Sequence, residues 1–126
     1  SHSLTDYMES LRKIRRLPIQ KTFPAHRASG ADVYGRIDQI LCHHEQRLDE
    51  IFQAVAEDPG CTAYETAGRI RWSARGLPWL EFPPHQRWFA MGETVAHLDY
   101  LVQCGRLTRT EREGTVHYYP ADAEHV

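Results

Sequence analysis

Long apolar runs are missing from this 126-residue sequence. None approaches the ~18 residues that a bilayer-spanning helix requires, which excludes one. No basic start followed by an apolar stretch reads as a secretion signal. Cysteine is scarce: Cys42, Cys61 and Cys104 are odd in number and far apart. Disulfide frameworks use even sets at short spacings in oxidising compartments, so the expected location is cytoplasmic. Without a Cys-x-x-Cys pair a zinc knuckle is not expected, and the three read as packing or surface residues. There is no glycine-rich phosphate loop and no serine in a nucleophile elbow. Nothing in residues 31–126 assembles an acid, a base and a nucleophile, so no catalytic residue is assigned there.

Basic charge is also short where a nucleic-acid binder would need it. The net charge of −2 hides an asymmetry. Residues 1–30 carry six basic side chains against Asp6 and Glu9, a surplus of four positive charges. Residues 31–126 hold nine arginines against fifteen acids, a net −6. Phosphate neutralisation supplies most of the affinity of a nucleic-acid module, so an acidic domain weighs against that class.

Helical periodicity is plentiful. Ser1-His2-Ser3 reads as a vector remnant. Residues 4–16 predict a helix, with Leu4, Tyr7, Met8, Leu11 and Ile14 recurring at three and four, ended by Leu17-Pro18. Ile19 to Pro24 is strand-like, with no sheet to join nearby. Residues 32–57 predict the strongest helix, capped by Asp32, with Ile37, Ile40, Leu41, His44, Leu48, Ile51, Phe52 and Val55 on one stripe. Asp58-Pro59-Gly60 stops it. Thr62-Ala63-Tyr64-Glu65 is a capping box for a helix reaching Trp72, which should bury Ala63, Ala67 and Ile70. Residues 73–84 read as a loop rich in proline and aromatics. A last helix from about His85 to Gln103 should turn Trp88, Met91, Val95, Leu98, Leu101 and Val102 inward, with Gly105 as a left-handed cap. Arg106 to Glu111 and Thr115 to Tyr119 flank Glu113-Gly114, a hairpin turn. The fold class is therefore mainly α with a C-terminal β-hairpin. The element order is that of a winged-helix-like three-helix module, preceded by a helix and strand.

Candidate functional residues are few. His26 follows the strand-like segment, where side chains reach out from the end of a sheet, but no second or third ligand stands beside it. Cys42-His43-His44-Glu45 cannot converge on one ion, because successive helical side chains diverge by about 100°. His44 falls on the apolar stripe and reads as a hydrogen-bonded core histidine, while His43 faces solvent. Glu93 and His97 are one turn apart and read as a packed polar pair. Trp72, Trp79, Phe82 and Trp88 gather around the 73–84 loop. They either fill the core beneath it or form a surface for docking or for bordering a substrate.

Tyr7 to Ile14 followed by Thr22-Phe23-Pro24-Ala25-His26-Arg27 resembles the last core helix and strand of metallo-β-lactamase-fold hydrolases. There the final metal-binding histidine stands in a Pro-Gly-His-Gly setting; Ala25 and Arg27 replace the glycines here. Arg36-Ile37-Asp38, His43-His44, Arg47-Leu48, Thr62 to Glu65, Gly92 to Leu101 and Gly105-Arg106-Leu107 resemble the winged-helix region that follows that fold in one group of these enzymes.

The resemblance implies that residues 1–30 are the tail of a catalytic domain and residues 31–126 its C-terminal domain. It makes His26 a metal ligand in the complete parent only, whose one or two zinc ions activate water for hydrolysis. The remaining ligands, in a His-x-His-x-Asp-His motif and beyond, are not in this sequence, so the chain itself holds no cofactor and is expected to be inert. Its implied role is non-catalytic: packing on the catalytic domain of the same protein, bordering the active site with Trp79, Phe82 and Trp88, and forming a homodimer contact. The alternative is a winged-helix nucleic-acid-binding module, reading a groove with its third helix.

Overall fold

The structure, a computed structural model, describes residues 4–16, 30–72 and 77–121. The strand-like segment 19–24 and His26 lie outside the described residues. Four α-helices and one antiparallel hairpin make up the described chain: α1 (Leu4–Arg16), α2 (Gly30–Glu57), α3 (Ala63–Arg69), α4 (Pro84–Gln103), β1 (Leu107–Arg112) and β2 (Thr115–Pro120), with a 3₁₀ turn at Trp79–Glu81. The chain divides into two compact units, Ser1–Gln46 and Arg47–Val126.

In the first unit α1 buries Met8 and Leu11, two positions of its predicted stripe, while Tyr7 and Ile14 remain exposed. Arg15 holds Asp38 of α2 at 2.9 Å and lies over the Tyr34 ring. His43 is exposed, as expected, whereas His44, expected in the core, is only half-buried and lies edge-on to Tyr7. The helix α2 begins at Gly30, so Asp32 lies in its first turn and is not the cap residue.

The second unit carries the core. From the α2 stripe it takes Leu48, Ile51 and Val55, all buried. Each fully buried aliphatic side chain contributes about 2 kcal/mol. The helix stops where the Asp58–Cys61 turn closes, with Gly60 at a φ of +91° that a side chain would strain. The capping box forms as predicted: Thr62 Oγ1 accepts from the Glu65 amide at 3.1 Å, and the Thr62 amide donates to Glu65 Oε1 at 2.9 Å. The helix α3 ends at Arg69, three residues before the predicted Trp72. The Ala67 carbonyl near its end is taken by the Trp72 indole N–H at 2.9 Å and by the Ile70 amide, and Arg47 takes the Arg71 carbonyl. Ala67 and Ile70 are buried, whereas Ala63 is only half-buried.

At its C-terminus α4 closes in a Schellman arrangement: the Arg106 amide reaches the Leu101 carbonyl, the Gly105 amide reaches Val102, and Gly105 has a φ of +80°. The hairpin follows, with Leu107 opposite Pro120 and Arg112 opposite Thr115. Glu113 and Gly114 both have positive φ, the signature of the primed turns that match strand twist. The outer side of β2 is not free. Tyr118 exchanges main-chain hydrogen bonds with Gly60 and Cys61, so the hairpin is tied to the α2–α3 turn through its second strand.

The main departure from expectation is the face that α4 buries. Trp88 and Val95 were expected inward and are exposed; the buried set is Ala90, Thr94, His97, Leu98 and Leu101. Apolar residues occur all round this helix, so periodicity alone does not choose a face. The core admits the smaller side chains of the Ala90–Thr94 row, and the large rings are left outside.

Candidate functional site

Three things distinguish the segment from Leu77 to Phe89. The first is how its turn is held. Pro78 precedes the 3₁₀ turn with an extended backbone, and Pro84 opens α4 at a position where a missing N–H costs nothing. Arg87, one turn into α4, reaches back and donates to the Leu80 carbonyl at 2.7 Å and the Phe82 carbonyl at 3.3 Å. Its guanidinium also lies 5.7 Å from the centre of the Trp79 ring.

The second is the sorting of the aromatics. Phe82 is buried and Trp79 half-buried, meeting at 5.1 Å in an edge-to-face contact, with Tyr64 5.4 Å from Trp79 on another side. Trp79 lies directly on α3 at Gly68, where a Cβ would stand 2.9 Å from Trp79 Cδ1. Glycine is therefore required there for the ring to approach. The expectation that the four aromatics form one group does not hold: Trp88 points away, 83% exposed. Phe89 is 66% and Leu80 74% exposed as well, and neither was singled out from the sequence.

The third is a cavity of about 480 Å³ beneath the turn, walled by Ile70, Trp72, Leu77, Trp79 and Phe82, with Gly68 and Arg71 at its edges. Two buried donors nearby, Trp79 Nε1 and Arg87 Nε, have no hydrogen-bond partner.

Elsewhere in the unit Arg47 Nε is also buried without a partner, while other buried polar groups are paired. His97 is fully buried, its Nδ1 2.6 Å from the Glu93 carbonyl oxygen. A carbonyl only accepts, so Nδ1 carries the proton. His97 thus packs against the Glu93 main chain; a ligand pair formed with the carboxylate is not what this contact is. Burial pushes the Cys61 thiol up, partly offset by its contact with Thr66 Oγ1 at 3.2 Å. Burial likewise raises the Tyr118 phenol, with Asp99 adding to the shift and Arg109 opposing it. Among the described residues no three His, Cys, Asp or Glu side chains come together in a way that could hold a metal ion. A zinc centre therefore does not fit the described part. No described helix is long and apolar enough to cross a membrane.

The described unit is thus a helical domain closed by a hairpin, with Trp88 and Phe89 turned outward. Residues 79–121 match the family of metallo-β-lactamase-like C-terminal domains, a span that begins at Trp79. The fold is similar to that of a β-lactamase domain protein from Burkholderia ambifaria, with a TM-score of 0.56 and 34% identity over 71% of this chain. The chain spans 24% of the length of that protein. No curated protein matches in sequence. The chain is a C-terminal part of a metallo-β-lactamase-fold protein.

Proposed function

We propose that this chain is the non-catalytic, winged-helix-like C-terminal accessory domain of a cytoplasmic, zinc-dependent metallo-β-lactamase-fold hydrolase. In this reading residues 31–126 form the accessory domain and residues 1–30 close the catalytic fold, with His26 contributing to the metal site of the whole protein. The accessory domain packs on the catalytic domain and borders its active site. The observation that carries the reading is the outward Leu80, Trp88 and Phe89 group on a turn clamped by Arg87. Large rings cost most when left in water and give most when covered, and tryptophan in particular anchors interfaces. Trp88 takes the bordering role, while Trp79 and Phe82 support the turn from beneath.

A nucleic-acid role draws little support from the hairpin. Arg109 lies 3.5 Å from Asp99, and Arg106 stacks on Phe52 near Asp49, so both are engaged within the domain.

The test is to produce the catalytic portion of the parent separately and titrate it with this chain. Wild type should associate, and Trp88→Ser with Phe89→Ser should weaken association by about tenfold or more while the domain stays folded. Equal affinity of both forms would rule out this face as the contact.

A further inference from the structure

The cavity under the aromatic turn lies apart from the Leu80, Trp88 and Phe89 face and has a chemistry of its own. Its volume of about 480 Å³ falls within the range of small-molecule sites. Two indoles and a phenyl ring wall it, flat surfaces that favour a flat guest. Charge at its edge is uncompensated. The neighbouring arginines have carboxylate partners, Arg47 with Glu50 at 3.2 Å and Arg69 with Asp58 at 2.8 Å. Arg71, exposed at the cavity edge, has no ion-pair partner among the described residues.

A donor is also left over. Trp79 Nε1 is buried without an acceptor, whereas the other wall indole, Trp72 Nε1, donates to Ala67 O at 2.9 Å. A buried donor with nothing to meet destabilises by about 1–3 kcal/mol, so the ring is held in place by its packing alone. This nitrogen is sealed against α3 at Gly68, 3.2 Å from where a Cβ would stand, so what the cavity offers a guest is the Trp79 ring and the Arg71 charge.

We propose that this cavity binds a small aromatic carboxylate. The ring system sits among Trp72, Trp79 and Phe82, and the carboxylate accepts from Arg71. Binding is non-covalent, and the site is independent of the docking face above.

The experiment titrates the ¹⁵N-labelled chain with 2-naphthoate and, separately, with 2-naphthylmethanol, which has the same ring system and no charge. The three indole N–H signals, from Trp72, Trp79 and Trp88, are assigned by single Trp→Phe variants. Saturable binding of naphthoate should move the Trp79 signal and leave that of Trp88 in place. Naphthylmethanol should bind about tenfold more weakly, and Arg71→Gln should remove that preference. Because Arg71 is exposed and unpaired, the variant keeps the fold, which its unchanged backbone signals will report. No saturable shift at millimolar naphthoate, equal binding of the neutral alcohol, or movement of Trp88 alone would each overturn the proposal.

Discussion

Two regions of the Arg47–Val126 unit are built on opposite terms. At the corner where α2 turns into α3, side chains and main chain meet one another in a set of short hydrogen bonds. Cys61 Sγ meets Thr66, Tyr118 exchanges main-chain bonds with Gly60 and Cys61, and His117 Nδ1 donates to the Gly60 carbonyl at 2.8 Å. At the turn that opens α4, two donors are buried unpaired and three large apolar side chains face water. Both regions use aromatic residues and tight turns, so composition does not separate them. The difference is whether the interactions close within the domain. A closed region lowers the energy of the domain itself, whereas an open one leaves those interactions unmade.

Breaking the comparison starts with α4, which belongs to both kinds of region. Leu98→Ala, on the buried face, should cost about 3 kcal/mol in urea unfolding. Trp88→Ala, on the same helix, should change stability by less than about 0.5 kcal/mol despite removing a far larger side chain. Similar losses for the two would mean that Trp88 is covered within the domain.

Next in size is the contact joining the turn to α3. Gly68→Ala should destabilise by about 1–2 kcal/mol, because the new Cβ meets the Trp79 ring 2.9 Å away. In a Trp79→Ala background the same change should become neutral or stabilising, since alanine is the better helix former. A penalty that persists without the ring would disprove the steric account.

The closed corner has a smaller, pH-dependent signature. Burial favours the neutral Cys61 thiol and Tyr118 phenol, so both groups hold their protons more tightly folded than unfolded. That stability is fully present below the ordinary thiol and phenol values and is lost as pH rises through the raised folded values. Unfolding free energy should fall across the alkaline range, and Cys61→Ala combined with Tyr118→Phe should flatten the decline. An unchanged slope in the double variant would place its origin elsewhere.

Local signals proved the most legible. The Thr62–Glu65 box, the Gly105 cap and the Glu113-Gly114 turn each depend on a few neighbouring residues, and each forms where its residues stand. The α2 stripe was readable for the same reason, since polar positions separate its apolar ones. The face of α4 was not readable, because Trp88, Phe89, Met91 and Val95 share the helix with Leu98 and Leu101. The aromatic site was read in part. Trp79 and Phe82 do meet, but Gly68, Arg71 and Arg87 carry no signal of their own until α3 and α4 are brought together.

The sequence by itself determined where the helices and hairpin lie and how their ends are closed, because hydrogen-bond spacing and backbone φ act over a few residues. It also carried the likeness to the metallo-β-lactamase fold, through short runs such as Thr62–Glu65 and Gly92–Leu101. Only the tertiary structure decided which rings face inward, which donors stay unpaired and where a cavity opens. Those outcomes depend on packing volume between segments distant in the chain, where a glycine at 68 makes room for a tryptophan at 79.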